Sequence, residues 1–207
     1  MTGMWGGIFR GIWDQTWRSG VLLAIFTVLL GFVYPGLATV IAVEIFPQQS
    51  CGSGISAGGR RVGSGLVGQD FKSPGYFWPR LSSTSPYPYN PALSSGSNAG
   101  PLNSGLLSSA QARADLLRSS GGANVVPLDL ITSSASGLDP HISPAAAKYQ
   151  VSRIARVRNI SAEKVLDLVV RHIEHPCLGF IGAPRVNVLL LNLDLDALTR
   201  DIHVEIR

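Results

Sequence analysis

From Gly20 to Val43 the chain reads GVLLAIFTVLLGFVYPGLATVIAV, without one charged side chain. At about 1.5 Å of rise per residue, a helix of that length is longer than the roughly 30 Å hydrocarbon core of a bilayer. The run predicts a transmembrane helix over 20–43. It gathers into one block much of the apolar content of a chain that is 45% hydrophobic and only 14% charged. A cleaved signal peptide is the rival reading, but its apolar core is typically about 7–15 residues and ends at a small-residue site, and no clean A-x-A follows here. A lipidated Cys51 fits poorly, because Pro47-Gln48-Gln49-Ser50 before it lacks the apolar and small residues such a site uses. Gly31, Tyr34, Pro35 and Gly36 mark a packing or kinking position inside the span, where a neighbouring helix can approach closely.

Residues 1–19 carry Trp5, Trp13 and Trp17 with Arg10 and Arg18, the pattern of a short lead-in at headgroup level. Arg10 and Arg18 before the span are balanced by Arg60 and Arg61 after it, so the positive-inside rule gives little direction. A long following domain translocates largely regardless of such charges, which favours an amino terminus inside and residues 44–207 outside. Two cysteines, Cys51 and Cys177, are too few to decide the redox setting, and one disulfide between them stays open.

After the span, residues 48–103 are rich in Gly, Ser, Pro and Asn. Phe71, Tyr76, Phe77, Trp78, Tyr87 and Tyr89 supply anchors that a flexible linker would lack, so ordered loops with short strands are expected. Ser104 is a candidate cap for GLLSSAQARADLLRSS, with Gly121-Gly122 as its stop. Ser143 before Pro144 opens a second helix carrying Ala147, Val151, Ile154 and Ala155 on one face. Its other face, with Lys148, Arg153, Arg156 and Arg158, reads as solvated. A net charge of +4 without interleaved aromatics, outside the cytoplasm, excludes nucleic acid as partner. Ser161 caps a third helix with Val165, Leu168, Val169 and His172 inward. In RVNVLLLNLDLDAL, Leu191, Leu193 and Leu195 alternate with Asn192, Asp194 and Asp196, which predicts a half-buried strand. The sum is an α+β class: one amino-terminal transmembrane helix followed by one compact, loop-rich α+β domain.

Chemistry-bearing patterns are weak. Gly63, Gly65 and Gly68 satisfy G-x-G-x-x-G, but QDFKSPGYF follows where a dinucleotide site needs a helix, so turn glycines are the better reading. No G-x-x-x-x-G-K-[ST] phosphate loop is present, and ATP hydrolysis by the chain alone is not expected. His172, Glu174, His175 and Cys177 are metal-ligand types at a helix end with no second ligand pair, and no metal site is assigned. In SGLDPHISPAAAKYQ, Ser136, Asp139 and His141 are triad residue types without a G-x-S-x-G elbow, so no catalytic residue is assigned. Asp139 and His141 read instead as loop-fixing or partner-contact residues before the Ser143 cap.

Several blocks in one order resemble the C chain of the Kdp high-affinity potassium-transporting ATPase. They are Tyr34-Pro35 in a single span, VGSGLVGQ ending at Gln69, Tyr76-Phe77, YNPALSSGSNAGP, PLDLITSSASGLDPHISPAAAKYQ and GAPRVNVLLLNL. The match covers most of the chain, and SGLDPHIS in this setting is highly specific. Two stretches depart from the pattern: Pro79-Arg80-Leu81-Ser82-Ser83, where an arginine followed by Pro-Ser-Ala is expected, and the insertion-like CGSGISAGGRR from Cys51 to Arg61. The resemblance implies a non-pumping subunit in a bacterial inner membrane, partnered by a channel-like potassium-binding subunit and a P-type ATPase subunit. It implies a catalytic chaperone that raises that ATPase's affinity for ATP, with potassium as the transported ion and no cofactor held by the chain itself. LSSGSN faintly resembles an ATP signature, making Gln69, Ser95, Gly96, Ser97 and Asn98, with Asp139 and His141, the candidate nucleotide or partner contacts. With the domain outside, contact with cytoplasmic ATP is excluded and the effect must pass through the partners. The alternatives are an external cap near the potassium entrance and, least favoured, a membrane-tethered hydrolase.

Overall fold

The computed structural model describes residues 2–100, 102–121 and 124–205, with side chains described from Gly11 to Arg200. It divides into two units, Met1–Ser53 and Gly54–Arg207.

The first unit is helical. Helix α1 (Thr2–Val28) runs into a π-helical turn (Leu29–Val33) and then into α2 (Tyr34–Ile45), before the short α3 (Pro47–Ser50). Helix therefore begins well before Gly20. Trp13 and Trp17 lie exposed on it, whereas the side chains of Trp5 and Arg10 fall outside the described set. The stretch Gly11–Ile45 is long and apolar enough to cross a membrane, and no part of its most apolar window is buried. The π turn sits where the sequence places Gly31 and Pro35. Proline has no N–H to donate back to Gly31, and the ladder widens there, with the Tyr34 N–H reaching Leu29 O.

The second unit is α+β. Strands β1 (Gly54–Ala57) and β2 (Arg60–Ser64) form an antiparallel hairpin, so the insertion-like segment is an ordered ribbon. Its turn is made by Gly58 and Gly59, both at positive φ. Irregular chain follows to α4 (Ser104–Ser119). A second sheet has the order β3-β5-β4, all antiparallel, from β3 (His141–Ile142), β4 (Ile173–Glu174) and β5 (Arg185–Asn187). Helices α5 (Pro144–Arg158), α6 (Ala162–Arg171) and α7 (Val188–Glu205) complete the unit. The core joins Ile154, Val165, Val169, Val186, Leu191 and Leu195 to Phe77 and Leu117, all at 1% exposure or less.

Capping follows sequence chemistry. The Ser143 hydroxyl accepts from Ala146 N at 3.0 Å with Pro144 in the first turn, and Ser161 caps α6. Ala147, Val151, Ile154 and Ala155 are buried along α5 as expected. Three expectations fail. Asn103, not Ser104, caps α4: its extended backbone lets the side-chain oxygen accept from Gly105 N and Leu106 N. The expected strand through Leu195 stops at Asn187 and becomes α7, because the Asn187 side chain accepts from Leu189 N and Leu190 N and so opens a helix. Val188, Leu191 and Leu195 then share a buried face, and Asn192 lies inside rather than outside. Arg153, expected on a solvated face, is 3% exposed and donates to the carbonyls of Pro74 and Tyr76.

Candidate functional site

Tyr76, Phe77 and Trp78 cross the core without belonging to a strand, so their backbone groups need other partners. Two buried amides supply them. Asn192 accepts from Phe77 N at 2.8 Å and donates to Phe77 O at 3.1 Å. Gln150 does the same for Trp78, at 2.8 and 3.1 Å. Arg158 closes the near end, pairing with Asp196 at 2.7 Å, lying over the Tyr76 ring and donating to Gly75 O. This fixed segment delivers Arg80 to the centre of a loop cluster.

Arg80 donates to Asp139 Oδ2 at 3.2 Å and to Ser133 O at 3.3 Å. Asp139 Oδ1 in turn accepts from His141 N at 3.0 Å, spanning Pro140, with the His141 ring nitrogen at 3.5 Å. Burial pushes the Asp139 carboxyl up, but the His141 hydrogen bonds and the Arg80 and His141 charges outweigh it and hold the group below its ordinary value. These residues, with Asp129, Ser143 and Arg185, line an open cavity of about 370 Å³. Ser136 is not drawn into this group: its hydroxyl accepts from Leu138 N at 3.2 Å, a turn contact rather than an activated nucleophile. Asp139 and His141 are thus tied together as loop-fixing groups beside a polar opening.

The remaining candidates meet the same turn through main chain. Ser95 N and the Ser94 hydroxyl both donate to Ser136 O at 3.0 Å. Gly96 lies against Ala135, where a Cβ would come within 2.8 Å of the carbonyl oxygen, and Gly137, at φ +67°, lies against Ser95 O. Ser97 and Asn98 are exposed, the latter with a left-handed backbone. Gln69 faces elsewhere, donating to Val62 O at 2.7 Å. Of the three glycines in GSGLVG, Gly68 has the clearest reason: a Cβ there would strike the Tyr89 ring and come within 2.7 Å of Asp139 O. None of the three has positive φ, so close approach rather than turn geometry explains Gly68. His172 pairs with Asp194 at 2.8 Å, and both cysteines are exposed.

Tyr89 was legible only as an anchor and proves central. It has φ +58°, its N–H donates to the Ser82 hydroxyl at 2.9 Å, and its phenol donates to Arg80 O. Burial, followed by the charges of Asp70 and Asp139, pushes that phenol far up, so it remains a neutral donor. Gln150, Asn192, Arg153 and Arg80 carried no short-range signal; their partners lie about 50 to 115 residues away in sequence.

Residues 16–197 match the family model described as K+-transporting ATPase, c chain. The chain is 54% identical over 176 residues to the potassium-transporting ATPase KdpC subunit of Herpetosiphon aurantiacus, covering 84% of this chain and 91% of that protein. It is 54% identical over 180 residues to the protein so named in Polaromonas naphthalenivorans (86% and 92% covered). The Geobacter sulfurreducens protein of the same name is 52% identical over 179 residues (86% and 95% covered).

Proposed function

The chain belongs to the K+-transporting ATPase c-chain family, and from that membership we propose that it is the accessory, non-pumping subunit of an ATP-driven potassium-uptake complex. In this role it supports assembly of a channel-like potassium-binding subunit with a P-type ATPase subunit, and raises the latter's affinity for ATP. The observation that carries the reading is the helical stretch Gly11–Ile45, long and apolar enough to cross a membrane, with no part of its most apolar window buried among the described residues. Such a surface needs lipid or partner helices, and the π turn with Gly31, Pro35 and Gly36 gives a place for a partner to pack.

The second unit lies on the extracytoplasmic side of the inner membrane, as expected for a long domain after a charge-balanced span. Its polar loop cluster around Asp139, His141 and Ser94–Gly96 contacts the partners, and the effect on ATP binding reaches the cytoplasm as coupling between sites. The test has two parts. In reconstituted complex, omitting the chain is expected to raise the KM for ATP in potassium-stimulated hydrolysis; an unchanged KM sinks the chaperone role. With Cys177→Ser leaving Cys51 as sole cysteine, a membrane-impermeant thiol reagent is expected to label intact and lysed cells alike. Labelling only after lysis puts the domain inside and admits direct nucleotide contact.

A further inference from the structure

Arg80 also borders a second cavity, of about 540 Å³, bounded by Trp78, Tyr89, Arg80, Arg113, Lys72 and Asp70 and completed by proline and aliphatic walls. Two guanidinium groups stack on the Trp78 ring, Arg153 at 3.9 Å and Arg113 at 5.0 Å from its centroid. Their donors are used very differently. Arg153 bonds to Pro74 O, Tyr76 O and the Gln150 side chain. Arg113 engages only Nε, with Leu130 O at 3.4 Å, and among the described residues its two terminal nitrogens meet no acceptor.

The charges around it do not cancel. Among the described residues, three cations line the cavity against one carboxylate, Asp70, which is already 3.0 Å from Lys72 Nζ. The carboxylate nearest Arg80, Asp139, is shared with His141 on the far side. Arg80 Nε is itself buried and, among the described residues, has no hydrogen-bond partner. Burial lowers the pKa of both stacked arginines, and at Arg153 the neighbouring charge of Arg113 adds to it, bringing that group to about 10. A half-buried guanidinium with unspent terminal donors is a fork shaped for two oxygens of one anion. The Tyr89 hydroxyl is spent on Arg80 O, so Arg113 supplies the free donors.

We infer that this cavity is a binding site for a phosphate oxyanion, gripped by the Arg113 fork beside Trp78 and compensated by Arg80 and Lys72. The apolar walls, Phe71, Pro88 and Leu116 among them, suit the organic part of a phosphodiester, and the open volume also admits free phosphate. The site stands apart from the transport role: it can fail while the accessory function holds, and the reverse.

The test uses the full chain with Trp5, Trp13 and Trp17 replaced by phenylalanine, so that Trp78 alone reports. In maltoside micelles, free of phosphate, inorganic phosphate is titrated and Trp78 emission followed. In a second arm, the same chain in nanodiscs of phosphatidylcholine containing phosphatidylglycerol is compared with the phosphate-free micelles. A saturable shift in the first arm identifies free phosphate as a ligand; a shift in the second alone identifies the phospholipid headgroup; both uphold the site. Arg113→Gln is expected to weaken the response at least tenfold, and Arg113→Lys, which keeps charge but loses the fork, by less. No shift in either arm overturns the inference. So does an equal response in an Arg113→Gln chain that retains its circular dichroism and cooperative melt; if that variant does not fold, an undiminished response in Arg113→Lys decides against the fork.

Discussion

The helix through Gly31 and the segment Tyr76–Arg80 are opposites. The first is helical from end to end apart from one widened turn, satisfies its backbone internally, and leaves large side chains such as Phe32, Leu37 and Val40 exposed. The second has no regular structure, yet Phe77 is fully buried and Trp78 nearly so. Regularity therefore says little about where definition comes from. The helix is defined by hydrogen bonds to itself and completed by whatever surrounds it. The irregular segment is defined by side chains from distant helices, which do for it what a neighbouring strand does in a sheet.

The strongest way to break this contrast is Asn192→Leu. It removes both partners of Phe77 in the core and is expected to cost about 3 kcal/mol, since each unsatisfied buried backbone group costs about 1–3 kcal/mol. Urea melts of the full chain in maltoside micelles, followed by near-ultraviolet circular dichroism, measure it; a loss below about 1 kcal/mol would mean that water substitutes for the amide. Gln150→Leu is expected to come next and to unsettle Arg153 as well, because Gln150 Oε1 serves both Trp78 N and Arg153. Gly68→Ala should cost about 1–3 kcal/mol by forcing Tyr89 away from the Asp139 loop.

Those first two residues also mark the limit of what the sequence could disclose. Helices α5 and α6 were legible because serine caps and apolar spacing are local signals, and both were found with their inward faces. Helix α7 was not, since LLLNLDLD has the period of a strand as well as that of a helix. Only Asn187, whose side chain caps the next turn, breaks the tie, and a polar residue before an apolar run reads equally well as part of an alternating strand. Asn192 and Arg153 looked solvated for the same reason: a polar group is inside only if a partner awaits it, and theirs come from residues 74–77. The turn that ties Asp139 to His141 was legible from local chemistry, since Asp139 Oδ1 accepts from His141 N across Pro140. Arg80 and Tyr89 owe their places to contacts no window along the chain contains.

Smaller effects sharpen the comparison. The Asp139 carboxyl titrates below its ordinary value, so its stabilisation is complete above about pH 4 and fades as pH falls through the folded-state value. Asp139→Asn is expected to cost about 1 kcal/mol at neutral pH, the difference from the parent narrowing as the pH falls below the ordinary carboxylate range; a gap independent of pH would place its cause outside the carboxylate charge. Pro35→Ala is expected to leave the melt of the second unit unchanged within about 0.5 kcal/mol while reducing recovery of partner subunits with the chain after detergent extraction. Full recovery of the partners would remove that turn from the packing interface.

The widened turn at Leu29–Val33 also changes how the helix is to be counted. One extra residue in a turn advances everything beyond it by about 100° around the axis, so positions that would lie on one stripe in an unbroken helix lie on different sides above and below it. The two halves are out of phase. A neighbour that follows the stripe of the first half loses it at Tyr34, and a second neighbour, approaching from another direction, can take it up.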